Sequence, residues 1–163
     1  EHTSRGLGDV YKRQHMGTAI ETEHELDMLM SHTGEAVKLL FDSGHMTFAK
    51  GDSLAVINKY ANRINHFHAK DIRSNVINNL DHSKQSFLDA FLEGAFTVPG
   101  DGNINFKEVI EALYKNNYEG WFIVEAEQDP TKANPFEYAK IGNKELVDCL
   151  SIYGYEIEDY IDE

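Results

Sequence analysis

The sequence predicts an α/β fold, a run of parallel strand–helix units making up the C-terminal half of a (β/α)8 TIM barrel. Three observations carry that expectation. Apolar runs at 37–41, 64–68 and 121–124 alternate with helix-period stretches and show few hairpin signals, the pattern of parallel βαβ units. No glycine-rich phosphate fingerprint follows any of the runs, so a doubly wound nucleotide-binding sheet fits less well than a barrel. A whole barrel needs ~200 residues or more, and these 163 residues supply three clear strands.

The elements follow in chain order. Residues 1–14 (EHTSRGLGDVYKRQ) stand apart, basic and glycine-containing with no apolar period. The string RGLGDVYKRQ resembles read-through of a sequencing adapter, so the domain is expected to span residues 15–153. Thr22 is a natural N-cap with Glu25 at capping-box spacing, opening a helix whose apolar positions are Leu26, Leu29 and Met30. Val37–Phe41 is a strand. Asp52 or Ser53 starts a helix to about Ala61, and Ile64–His68 is the next strand. A polar connection from Arg73 to Gly102 holds a short helix at 84–92, and connections of that length in compact domains are usually functional. A helix at Asn105–Asn116 leads through Gly120 to the strand Trp121–Val124. The last helix covers about Pro135–Leu150, and 154–163 is an acidic, frayed tail.

Composition excludes several functions. The chain carries 15 basic and 28 acidic residues, a net charge of −13, whereas a nucleic-acid surface needs a cationic face. A small polyol or a cation remains compatible with that charge. No apolar run approaches the ~20 residues of a membrane span, and no charged start leads into a secretory apolar region. The single cysteine, Cys149, permits no intrachain disulfide and fits a reducing cytoplasm. It falls in the last amphipathic segment and is expected to be core. A homo-oligomer is compatible with everything above.

Chemistry concentrates where the apolar runs end. LLFDSGH (39–45), INHFHAKD (64–71) and WFIVEAE (121–127) each break from a buried strand into metal-capable residues. That places Asp42, His45, His68 and Glu125 at the carboxyl edge of a parallel sheet, where such folds keep their chemistry. An Asp, His and Glu set suits Mn²⁺, Co²⁺, Fe²⁺ or Zn²⁺. The strand period of two puts Ile64, His66, His68 and Lys70 on one face, and Trp121, Ile123, Glu125 and Glu127 on another. So many polar side chains cannot be buried without partners. Taken singly they have plainer readings: Asp42 as a cap, His45 in a loop, His66 and His68 on an exposed strand, Glu125 and Glu127 as an ion-paired edge. Repetition at one end of three strands favours a site. A non-enzymatic alternative is a calcium-binding module at Thr97–Glu108, whose Gly102, Ile104 and Glu108 mimic half of an EF-hand loop, although Thr97 and Pro99 stand where acidic ligands belong.

HMGT (15–18), DSGHMTFAKGD (42–52), HFHAKD (66–71), FTVPGDGNINF (96–106) and GWFIVEAEQDP (120–130) together resemble the inosose dehydratases, members of the xylose-isomerase-like TIM barrel superfamily. The resemblance spans about His15 to Leu150; TVPGDG with GWxxVEAEQDP is its narrowest part. It implies a hydro-lyase of myo-inositol catabolism that dehydrates 2-keto-myo-inositol (scyllo-inosose) to a trihydroxycyclohexane-dione with a divalent metal, Mn²⁺ or Co²⁺. Asp42, His68 and Glu125 match the metal ligands. His45, Lys70 and Glu127 are the candidates for proton transfer, and His15, His66 and Asp101 for substrate contacts. The family draws a further ligand from the strand before HMG, where Tyr11–Gln14 does not match. A metal-dependent sugar isomerase or epimerase on the same scaffold is the competing enzyme, while net charge disfavours an endonuclease. With the first four barrel strands absent, two sheet edges are exposed, and the isolated chain is expected to have little or no activity.

Overall fold

Thr22 accepts the Glu25 amide while the Glu25 carboxylate accepts the Thr22 amide, and this reciprocal cap fixes the first helix of the chain. The structure, a computed structural model, describes residues 10–81 and 83–157. In chain order the elements are β1 Val10–Arg13, α1 Glu23–Ser31, β2 Val37–Asp42, α2 Ser43–Phe48, α3 Ser53–Tyr60 and β3 Ile64–Ala69. There follow β4 Asp71–Ile72, α4 Ser74–Ile77, α5 Phe87–Leu92, β5 Phe96–Thr97, α6 Phe106–Lys115, β6 Trp121–Val124 and α7 Pro135–Ile152.

β1, β2, β3 and β6 form one parallel sheet in that spatial order, with Asp42 opposite His68 and His68 opposite Ile123. Leu39, Phe41, Phe67 and Ala69 are buried on the face that carries the helices, where Leu26 and Met30 of α1, Val56 and Ile57 of α3, and Ile110 and Leu113 of α6 cover them. The alternate residues of the same strands therefore face the other way, as the period of two requires. Arg63, at the foot of β3, is buried and donates to the carbonyls of Met30 at 2.6 Å, Gly34 at 3.0 Å and Val37 at 2.8 Å. It fastens the α1–β2 connection to the sheet. Cys149 belongs to the core, 1% exposed, and burial pushes its thiol up to about 11. Among the described residues no helix is long and apolar enough to cross a membrane.

Four features differ from the sequence expectation. β1 falls within the segment set apart as 1–14: Val10–Arg13 pairs in parallel with Val37–Leu40, so the sheet starts before His15. A four-residue edge strand held by main-chain pairing has no apolar alternation to betray it. Secondly, α2 follows β2 directly, and its buried residues Ser43, Gly44, His45 and Met46 carry no amphipathic period. Thirdly, the long connection is clasped by an antiparallel β4–β5 pair and has its own apolar cluster, including Ile72, Ile77, Ala90 and Phe96. Its helix begins at Phe87 on a Ser86 cap. Fourthly, the start of the tail is packed: Tyr155 stacks edge-on to Phe122 and its hydroxyl donates to the Tyr118 carbonyl at 3.0 Å. Residues 1–9 and 158–163 lie outside the described residues.

Candidate active site and metal centre

Asp42 ends β2 and caps α2, so its two carboxylate oxygens have different duties. Oδ1 accepts the His45 amide at 3.0 Å, the capping contact. Oδ2 is buried, accepts no hydrogen bond, and faces His68 Nδ1 at 3.7 Å and Lys70 Nζ at 3.2 Å. The plain reading of Asp42 as a cap and the functional one are thus both true, one oxygen each. His68 is held opposite Asp42 by the sheet register. Glu125, one residue past β6, is placed by its own amide donating to the Ala69 carbonyl at 3.2 Å, and its Oε2 is in close contact with His68 Nδ1. One potential ligand atom from each of Asp42, His68 and Glu125 lies within 4.8 Å of the others.

A second triad stands beside the first. His15, just after β1, packs against His45 of α2 with ring centroids 3.7 Å apart and the rings tilted by 40°, and its Nε2 lies 3.1 Å from Glu127 Oε1. His45 Nε2 lies 3.5 Å from Glu127 Oε2. One potential ligand atom from each of these three likewise lies within 4.8 Å of the others. Lys70 joins the two triads. Its buried Nζ is 3.0 Å from His45 Nε2, 3.2 Å from Asp42, 3.4 Å from Glu127 and 3.6 Å from Glu125. Gly44 makes room for that lysine, since a Cβ there would sit 2.6 Å from Lys70 Cγ. The Ser43 hydroxyl closes the β2–β3 seam beneath it, donating to the Lys70 carbonyl at 2.7 Å.

Electrostatics follow from this packing. Burial by itself would raise all three carboxyls. For Glu125, the bond to His68 and the positive neighbours Lys70, His68 and Arg13 outweigh burial and bring it down to about 2. For Glu127, burial is likewise outweighed by the His45 bond, Lys70 and His15, again giving about 2. Asp42 is lowered on balance, burial being overcome by His68, Lys70 and His45. His45 is lowered by burial, despite Glu127 and Asp42, which keeps it neutral; His68 is raised because Asp42 and Glu125 overcome its burial.

Of the nine candidate residues, Asp42, His45, His68, Lys70, Glu125, Glu127 and His15 come together. His66 is half-buried one strand period before His68, with ring centroids 6.0 Å apart, and shares that face. Asp101 goes elsewhere: its carboxylate takes the Arg73 guanidinium and the Thr97 hydroxyl. The contact with Arg73, which precedes α4 across the long connection, is the reason, and no short-range pattern could have revealed it. The calcium reading of Thr97–Glu108 is corrected by the same contacts. Thr97 and Asp101 are turned on each other and on Arg73, and among the described residues neither metal-capable group includes Glu108. Within Tyr11–Gln14, where the resemblance implies a further ligand, Arg13 stands instead, its Nη1 3.2 Å from Glu125 Oε1 and 3.4 Å from His68 Nδ1.

Residues 11–146 match the sequence profile of the xylose isomerase-like TIM barrel family. The chain belongs to that family. It is 55% identical over 136 residues to the inosose dehydratase of Geobacillus thermodenitrificans, covering 83% of this chain and 45% of that protein. It is 48% identical over 162 residues to the rhizopine catabolism protein MocC of Rhizobium meliloti, covering 96% of this chain and 50% of the relative. Among solved structures, the IOLI protein with a binding zinc atom shares the fold at a TM-score of 0.65 and 18% identity, covering 91% of this chain and 50% of that one. The chain spans about half the length of the relatives it matches, and its four parallel strands with their helices are a partial barrel of this family.

Proposed function

We propose that this site belongs to a hydro-lyase that removes water from 2-keto-myo-inositol, working in the cytoplasm with a divalent ion. The observation that carries the reading is the convergence of two triads on one buried lysine, in a chain about half identical to inosose dehydratases over most of its length. Asp42, His68 and Glu125 are the residues that would hold the ion. They fit it: two ionised carboxylates and an imidazole converge, and a buried Asp42 oxygen has no hydrogen bond of its own. Mixed oxygen and nitrogen donors of this kind suit Mn²⁺ or Co²⁺. When bound, the ion supplies Lewis acidity at the substrate carbonyl.

The chain's own residues then account for the protons. Glu127, ionised at neutral pH, takes the proton from the carbon next to the carbonyl. The electron pair of that C–H bond becomes a C=C bond and expels the hydroxyl of the adjoining carbon. That hydroxyl takes a proton from the Lys70 ammonium and leaves as water. His45 lies within 3.5 Å of both groups and, being neutral, can pass the proton from Glu127 back to Lys70. His15 and His66 are placed to contact substrate hydroxyls along the same face. Because β1 and β6 are the outer strands of the parallel sheet among the described residues, the 163 residues alone are proposed to turn over little substrate.

A chimera carrying this chain in place of the matching half of the Geobacillus thermodenitrificans relative tests the reading. With 2-keto-myo-inositol and Mn²⁺, mass spectrometry should find a product lighter by one water, lost on His68→Ala. A product of unchanged mass would instead indicate the isomerase or epimerase, and robust turnover by the isolated chain would refute the proposal about the fragment.

A further inference from the structure

We propose that Thr97 is a positioning residue: its hydroxyl holds Gln128 and thereby keeps the adjacent Glu127 carboxylate in line with Lys70. The inference rests on the hydro-lyase reading above, in which Glu127 takes a proton and Lys70 gives one. Beyond β6 the chain leaves the sheet. The Glu125 amide still donates to the Ala69 carbonyl at 3.2 Å, but among the described residues no main-chain hydrogen bond holds Ala126, Glu127 or Gln128. A segment without ladder partners depends on side-chain contacts to keep its shape. The Glu127 carboxylate contacts His15, His45 and Lys70, but their attraction falls away when it takes up a proton. Those contacts cannot hold it steady through the reaction. A neutral contact one residue on can.

Thr97, in β5, supplies that contact. It is fully buried, and its hydroxyl has one proton and two lone pairs to place. The proton goes to Asp101 Oδ2 at 2.5 Å. The lone pairs accept Arg73 Nη2 at 3.1 Å and Gln128 Nε2 at 3.1 Å. A carboxylate only accepts and a guanidinium only donates, so the hydroxyl has a single orientation and meets the amide nitrogen of Gln128. The main chain of Thr97 pairs with Asp71, the residue after Lys70. One residue is thus tied by its backbone to the neighbour of the acid and by its hydroxyl to the neighbour of the base. Between acid and base lie the 3.4 Å from Lys70 Nζ to Glu127 Oε2. Displacing such groups by about 1 Å can cost on the order of 10²-fold in rate.

The chimera with the Geobacillus thermodenitrificans relative supplies the other half of the barrel and carries the test. Thr97→Val keeps the shape and removes the hydroxyl. Its kcat on 2-keto-myo-inositol should fall about 10–100-fold, with KM and the Mn²⁺ Kd within about threefold. Thr97→Ser should recover most of the rate. Gln128→Leu, at a half-buried position, should reproduce the loss, and it serves if Thr97→Val does not fold. Combined, the two substitutions should cost no more than the worse of them alone, because both break one bond. Losses that multiply in the double variant, no recovery with serine, or full rates in both single variants would each overturn the role of Thr97 and leave the dehydratase standing. A parent chimera that forms no product lighter by one water would overturn both.

Discussion

Asp42, His68 and Glu125 stand at the ends of three adjacent parallel strands, whereas His15, His45 and Glu127 come from a loop, a helix and the irregular segment beyond β6. The first set is positioned by main-chain pairing: the Asp42–His68 register and the Glu125 amide on Ala69. The second is positioned by side chains, through the His15–His45 ring contact and the shared Glu127 carboxylate. Both carboxylates nevertheless come down to about 2, one against Arg13 and His68, the other against His45, and both against Lys70. Equal charge balance on unequal scaffolds suggests a division of labour. On the proposed function, the strand-borne group is the rigid platform for an ion and the loop-borne group the more adaptable face for substrate.

The comparison is broken most severely at Asp42. Asp42→Ala removes the α2 cap and leaves Lys70 enclosed without its nearest carboxylate. Urea unfolding should find a loss of about 3–5 kcal/mol, the range for stripping one partner from a buried pair. A loss under about 1 kcal/mol would mean that Lys70 is not held by this contact. Gly44→Ala should come next, at about 1–3 kcal/mol, because a Cβ forced against the Lys70 stem overpacks a site with no slack. An unchanged unfolding midpoint would show that the lysine has another path.

Acid titration of the metal-free chain sharpens the balance between the triads. Glu125 and Glu127 have folded pKa values of about 2 against an ordinary 4.5. Depressed carboxyls bind fewer protons folded than unfolded, so their contribution is fully present above pH 4.5 and is lost as pH falls toward 2. Glu125→Gln and Glu127→Gln should each reduce the slope of stability against pH in that window, and by similar amounts, the rest coming from Asp42 and the other lowered carboxyls. If one variant removes the whole slope, the two triads are not equally balanced. The smallest effect is expected at His15→Ala: a loss of about 1 kcal/mol in unfolding, as for one partly buried contact, with unchanged metal affinity in a Mn²⁺ titration. A large loss of metal affinity there would merge the two triads into one centre.

The strand-borne residues were legible because strands announce themselves. An apolar run with period two that ends in Asp42, His68 or Glu125 fixes both the face and the end of the sheet on which the side chain lies. His45, Lys70 and Glu127 followed as near neighbours of those ends. Arg13 was not legible, since β1 is a short edge strand whose character comes from pairing with β2 and not from its own residues. Helix α2 was hidden for a related reason: buried on nearly every side, it shows no amphipathic stripe. Asp101 meets Arg73, a partner remote in sequence that the β4–β5 pair and the Asp71 contacts bring beside it. Local periodicity records what each segment buries; it does not record which distant segment a charged side chain meets.

Asp71 follows Lys70 in the chain and is buried. Its carboxylate accepts the amides of Ile72 at 2.8 Å, Gly102 at 3.1 Å and Ile104 at 2.8 Å, and a Cβ on Gly102 would collide with it. One side chain therefore anchors the Val98–Ile104 turn to the end of the sheet, beside Phe96, whose ring packs against His45 and lies under Lys70 Nζ. The wall on that side of the site is preorganised, and its ordering entropy is met in folding and not on association. Selectivity along it should then arise from a fixed contour that a ligand either matches or does not, with little contribution from loop closure.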